Sequence, residues 1–298
     1  MKRWFCAILS LGCVLSAQDA ASWSVHMPAT GLLPSYTHVN YISRMGERHG
    51  GSHLGLQEYT LNIPLADPYR SRVGRWSLNM QANASLTLMD VGGHLNLRQD
   101  ELFDFSLPIS IISAIGSKDG FVFTVAPHMA GDLIHTGRSW EIAAIAEYSE
   151  RLSETFSYSI GIAFSPRFAD YTVVPFVSFT WQATPLWQVR MKGYKLAALY
   201  KVTDKLQIGP CVSAEGGSWI IDTPEGQRQL RVRSLAAAVL MEYDFSKAGE
   251  RKRIVSASLG STLATSAEIC RRTADHDSVA IYHYKPGLVF SAGLDFRF

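Results

Sequence analysis

The strongest constraint on this chain is a period of two. From Trp76 to Leu88 the even positions Trp76, Leu78, Met80, Ala82, Ala84, Leu86 and Leu88 are apolar, while Ser77, Asn79, Gln81, Asn83, Ser85 and Thr87 are polar. Successive side chains of a strand point to opposite faces, so this segment predicts a strand with one apolar and one polar face. The alternation returns in Trp140, Ile142, Ala144, Ala146, Tyr148, in Phe156 to Phe164, in Val173 to Trp181 and in Trp187, Val189, Met191. It returns again in Leu235 to Phe245 and in Leu288, Phe290, Ala292, Leu294, Phe296, Phe298. Beyond the first residues no run of about 18 apolar residues occurs, so spanning helices are not expected.

Turn signals separate these segments at Gly116 to Gly120, Glu150 to Glu154, Ala183-Thr184-Pro185, Thr203-Asp204-Lys205, Thr223 to Gly226 and Ser246 to Arg253. The intervening stretches are expected as strands at 53–63, 76–89, 102–115, 120–128, 139–149, 155–164, 172–182, 186–202, 206–221, 228–245, 253–265 and 284–298. Segments of about 9 to 11 residues suit tilted strands crossing a bilayer. Trp76, Trp140, Tyr148, Phe156, Trp181, Trp187 and Tyr243 stand near segment ends, where interfacial girdles require aromatics. A soluble antiparallel sandwich also alternates, but the long clean apolar faces favour strands in lipid. There every backbone polar group must pair within the protein, which forces the sheet to close on itself. The expected fold is all-β: a closed antiparallel transmembrane β-barrel of about 12 strands, with 10 to 14 allowed. His38 to Ser43 supplies one more strand on the wider count, and 186–202 can break at Gly193.

Composition agrees. Charged residues are 18% of the 298, below the roughly 25% of soluble domains, and aromatics reach 11%. The formal charge is only +2, with no basic stripe, which argues against a nucleic-acid partner.

The amino terminus is read as a secretory signal peptide, residues 1–17, with Lys2 and Arg3 before the apolar stretch Trp4 to Leu15 and cleavage after Ala17 or Ser16. Ser10-Leu11-Gly12-Cys13 leaves a lipoprotein signal as the rival. Of the four cysteines, Cys6 and Cys13 go with the signal, and Cys211 and Cys270 are as readily two free thiols as a bridge. Residues 18–52, with Pro28, Gly31 and Pro34, are expected as an irregular lead-in in the periplasm or lumen, and 53–298 as the barrel.

The chain ends on Phe298, with Phe296, Leu294, Ala292 and Phe290 on the same face. This ending resembles the terminal-strand signature of Gram-negative outer-membrane β-barrels. The resemblance implies an outer-membrane location, contact with outer-membrane lipid, and Phe290, Leu294, Phe296 and Phe298 as a signal to the barrel-assembly machinery. Val173 to Leu206, with Pro175, Trp181, Pro185, Trp187, Tyr200 and Asp204, is similar to stretches of outer-membrane barrel families whose function is not established.

A barrel of this size lies between those filled by side chains and those holding a wide channel. The expected lumen lining is mixed in sign, with Glu141, Glu147, Glu242 and Asp244 against Arg190 and Lys192. That set suits either a narrow selective pore or an internal salt-bridged network. Outer-membrane phospholipases carry a strand-borne His-x-Ser-Asn. Here the only His-x-Ser is His276-Asp277-Ser278, followed by Val279 in an expected loop. His26, His38, His49 and His53, and His276 and His283 beside Asp275 and Asp277, match no metal spacing and read as loop histidines. Arg228, Arg231 and Arg233 read as contacts to head groups or water. No catalytic residue, metal or cofactor is assigned. The sequence therefore points to a passive, porin-like channel for small solutes. The alternatives are a lipid-modifying barrel enzyme and a structural or adhesion barrel acting through the loop Ala264 to His283.

Overall fold

The structure, a computed structural model, describes residues 36–47, 53–66, 76–91, 100–115, 118–132, 140–165, 172–223, 226–246, 253–271 and 278–297. The expected signal peptide, Phe298, and His26, His49 and His276 lie outside the described residues.

The described residues form sixteen strand segments and no helix. They are β1 (Tyr36–Glu47), β2 (His53–Ala66), β3 (Trp76–Val91), β4 (Glu101–Ser106), β5 (Ile109–Ala114), β6 (Asp119–Gly131), β7 (Trp140–Arg151) and β8 (Phe156–Ser165). There follow β9 (Thr172–Gln182), β10 (Trp187–Lys192), β11 (Lys195–Lys201), β12 (Leu206–Thr223), β13 (Gly226–Asp244), β14 (Arg253–Arg271), β15 (Ser278–Tyr284) and β16 (Leu288–Arg297). All belong to one sheet. Antiparallel pairing runs from β1 to β4, from β4 to β6, and on in order to β14. It then passes to β16, which pairs back onto β1 and closes the wall.

The sixteen segments exceed the twelve expected strands by four, through two divided strands, β4/β5 and β10/β11, and two strands outside the twelve, β1 and β15. β4 and β5 occupy one place between β3 and β6, broken at Leu107-Pro108 because proline has no N–H for the ladder. The break is bridged by Gln81 N–H to Pro108 O at 3.0 Å and Leu107 N–H to Pro127 O at 3.0 Å. β15 and β16 similarly follow one another along β14. The stretch 186–202 divides at Gly193, where a break was allowed, into the hairpin β10–β11.

Two further expectations are corrected. The lead-in 18–52 is not irregular throughout, since its second half holds β1, the strand that the last strand needs as a partner. The expected loop Ala264 to His283 is mostly strand, because β14 runs to Arg271 and β15 starts at Ser278. The cause is a β-bulge. The register against β13 shifts between Leu235 and Ala236, and the buried positions of β14 change from Ser258 and Thr262 to Thr265 and Ala267. A reading tied to one phase stops at the bulge, although the strand continues in the other.

The strands define two ends. Short turns at 152–155, 183–186 and 202–205 gather at one end, together with the start of β1 and the close of β16. We call it the turn end, and the opposite one the far end. Leu61, Ile63, Leu78, Ile111, Phe123, Ile160, Ile162, Val177, Val239 and Leu259 stand exposed on the outer face. At the turn end this apolar belt is edged by aromatics in contact. Phe121 and Tyr148 have ring centroids 5.1 Å apart, Trp187 and Tyr200 5.2 Å, and Phe245 and Phe296 6.4 Å. The hydroxyls of Tyr148 and Tyr158 both donate to Glu150, at 3.2 and 2.8 Å, as side chains with an apolar body and a polar tip do at a membrane boundary. A continuous apolar belt would drive aggregation in water. On a closed antiparallel wall it identifies a membrane-spanning β-barrel. Cys211 and Cys270 are both free and buried.

Cysteines placed at Leu78, Val177 and Phe290, in a background with Cys211 and Cys270 replaced by serine, are expected to resist a water-soluble maleimide in intact membranes. They should react after detergent denaturation, and free labelling in membranes would show that this face is not in lipid.

Candidate functional site

The inner face is built from the residues that alternate with the outer belt. On β3 it carries Ser77, Asn79, Gln81, Asn83, Ser85 and Thr87, which climb from the turn end toward the far end at about 6.8 Å per side chain. Asn79 is 1% exposed, Thr87 2% and Gln81 4%. Within the protein no hydrogen bond reaches Asn79 Nδ2 or Oδ1, Gln81 Nε2, Asn83 Oδ1 or Thr87 Oγ1. Buried polar atoms are nearly always bonded to protein or to ordered water, so these five atoms in a row leave this stretch of the inner face with hydrogen bonds that the protein itself does not meet. The neighbouring strands β5 to β8 continue the polar character with Ser110 and Thr124, whose hydroxyls are 2.8 Å apart, and with Ser149 and Ser159. His128 Nε2 lies 3.1 Å from Asp104 Oδ1.

The expected lumen residues all fall on inward positions of their strands. Glu147 is buried on β7 and Glu141 half-buried near its far end. Arg190 on β10 bonds to Glu242 on β13, reaching past β11 and β12, whose inner faces there present Ala197, Leu199 and Cys211. Lys192 lies beside Lys195 across the β10–β11 turn, and Asp244 accepts from Ser246 at the turn end. The structure thus joins Arg190 to Glu242 but does not gather the six into one cluster. Among the described residues no three His, Cys, Asp or Glu side chains assemble as a metal site. The His276-Asp277-Ser278 triplet begins outside the described residues, and Ser278 opens β15. Arg231, expected at head groups or water, is buried and donates to Gln229 at 2.8 Å, whose amide donates to Ser218 at 2.8 Å.

At the far end the inner face changes character. Leu54, Leu56, Met89, Leu102, Ala130, Trp219, Ile221, Leu230, Val232, Ala267 and Tyr284 form one apolar cluster, each 7% exposed or less. Side chains lining an open lumen would keep water on one side, so this level is packed rather than open. Strand lengths show how the wall narrows. β12 pairs with β11 only as far as Ser213, and then Ile220 meets Gly131 of β6 in a parallel bridge. Asp132 N–H donates to Ile220 O at 3.2 Å. A Cβ at Gly131 would lie 2.8 Å from that carbonyl oxygen, so only glycine lets the strands approach. The tall strands on either side of the bridge are thereby drawn into a tighter ring over the short hairpin β10–β11.

This apolar level is absent from the expected lining, yet it leaves a trace in the pattern. In β2 the apolar phase is even at Leu54 and Leu56 and odd from Tyr59 to Leu65. In β12 it is even at Ile208 and Val212 and odd at Trp219 and Ile221. A change of apolar phase along a strand marks the height at which the outer face leaves lipid and the inner face becomes the core.

Arg190 and Glu242 have side chains about one-fifth exposed (19% and 17%), so water screens them in part. Arg190→Ala is expected to cost about 1 to 3 kcal/mol, read as a lower urea midpoint for loss of the heat-modifiable folded form. Replacing both partners by apolar residues should cost less than the two single changes together, and additivity would show that the pair does not couple.

Comparison with solved structures finds similar folds among outer-membrane proteins. The COG4313 outer membrane channel from Pseudomonas putida F1 shares 12% identity at a TM-score of 0.49, over 93% of this chain and 98% of that one. The Pseudomonas putida toluene transporter TodX shares 6% at 0.37, over 93% and 92%. The outer membrane protease OmpT from Escherichia coli shares 10% at 0.23, over 89% and 94%. No curated protein matches the chain. Residues 37–297 match a family described as a domain of unknown function, DUF6268, and the chain belongs to that family.

Proposed function

We propose that this barrel is a passive channel for small solutes across the outer membrane. The wall closes through β16 onto β1, with β5 and β15 sharing wall positions with β4 and β16. That circumference gives room for a lumen at the turn end. The observation that carries the reading is the row of unpaired buried polar atoms on Asn79, Gln81, Asn83 and Thr87. It supplies alternating amide donors and acceptors along one line of the inner wall, where a passing polar group or water exchanges one partner for the next. The Arg190–Glu242 pair, with Lys192 and Glu147, sets the local field of the same wall. Short turns belong to the periplasmic side in barrels of this kind, so the turn end faces the periplasm and the packed far end faces outward. We read the chain as non-enzymatic, with residues 1–17 removed on export and the terminal signal Phe290, Leu294, Phe296 and Phe298 read by the assembly machinery.

The packed far end favours a second reading, a structural barrel with a filled lumen. Conductance separates the two. Folded mature protein in a planar bilayer is expected to give discrete, small current steps, and Asn79→Leu with Gln81→Leu and Asn83→Leu should reduce them about tenfold or more, as an apolar wall dewets. Steps unaffected by that triple change would place the path elsewhere. Silence from folded protein, both native and with the far end opened as described below, would support the structural reading.

A further inference from the structure

The apolar level contains one side chain unlike its neighbours. Trp219 is 6% exposed, and its indole Nε1 has no hydrogen-bond partner. The ring lies flat over Gly217, two residues earlier on the same face of β12, where a Cβ would overlap its six-membered ring. Both residues fall in the part of β12 between the end of the β11 ladder at Ser213 and the bridge at Ile220. On that side residues 215–219 have no ladder partner among the described residues. The ring is therefore held by packing alone, on a strand segment tied by hydrogen bonds along only one edge, and at the height where the polar row of β3 ends.

We propose that Trp219 is the stopper of this channel, and that a small planar apolar molecule takes the place of its indole above Gly217. The inference rests on the channel reading and names what passes its narrowest level. When the ring swings off Gly217 it leaves a flat slot beside Leu230 and Val232 of β13, within the apolar cluster that also holds Met89 and Leu102. A slot of that shape and lining takes a ring-sized apolar solute in preference to water, because an aromatic face loses no hydrogen bonds there. Gly217 is then the seat of the ring, since a Cβ at that position would run into the indole and displace it.

The test uses the mature barrel in planar bilayers, with heat-dependent gel mobility to confirm folding. Trp219→Ala is expected to raise single-channel conductance about threefold or more, while Trp219→Phe stays near native because it keeps a ring over Gly217. Gly217→Ala, which pushes the ring off its seat without removing it, should also raise conductance, and it serves where Trp219→Ala fails to fold. Free indole at millimolar concentration should return the Trp219→Ala channel toward the native level by filling the vacated slot, and should leave the native channel unchanged. Native steps that persist while neither variant changes them would overturn the stopper and leave the channel standing. Higher conductance in Trp219→Ala that indole does not reduce would overturn the ligand slot. Silence in native protein and both folded variants would overturn the channel itself.

Discussion

Every backbone N–H and C=O that enters lipid must find its partner inside the protein, and this single demand organises the molecule. It is met by joining the first strand to the last. β1 and β16 pair over nine residue pairs, from Tyr36 with Arg297 to Arg44 with Val289, although they are nearly the whole chain apart in sequence. The same demand explains the far end. Once β12 rises past the short hairpin β10–β11 it loses a neighbour, and the bridge from Ile220 to Gly131 recovers one on another wall. Unequal strand length thus becomes a change of diameter.

That change of diameter separates two environments in series. Around the lower wall the outer face meets lipid and the inner face is polar, with the β3 amides, the Ser110–Thr124 hydroxyl pair and the Arg190–Glu242 bond. Above, the ring is tight enough for facing side chains to touch, and small rings of strands are filled by their own side chains. The apolar residues accordingly turn inward, and the interior at that height is a core in the ordinary sense.

A polar path below an apolar constriction selects solutes differently from a wide aqueous pore. On the channel reading proposed above, the lower wall sets which groups are tolerated through charge and hydrogen bonding, while the upper level sets size and shape. On that reading the acidic and basic residues of the inner wall act as fixed partners.

Alternation alone carried the strand content, the outer belt at Leu78, Val177 and Phe290, and the inward placement of Glu147, Arg190 and Glu242, because side-chain direction in a strand follows from its period of two. It failed where that period was locally shifted or broken. The bulge in β14 hid the continuation to Arg271, and Pro108 divided a strand that the pattern read as one. The partner of Arg190, the bridge at Gly131 and the seat of Trp219 on Gly217 were not legible. Each depends on which strands come together, on how far each rises and on which residues meet across the ring. Those are properties of the closed sheet, fixed by backbone pairing between segments distant in sequence, and no single strand carries them.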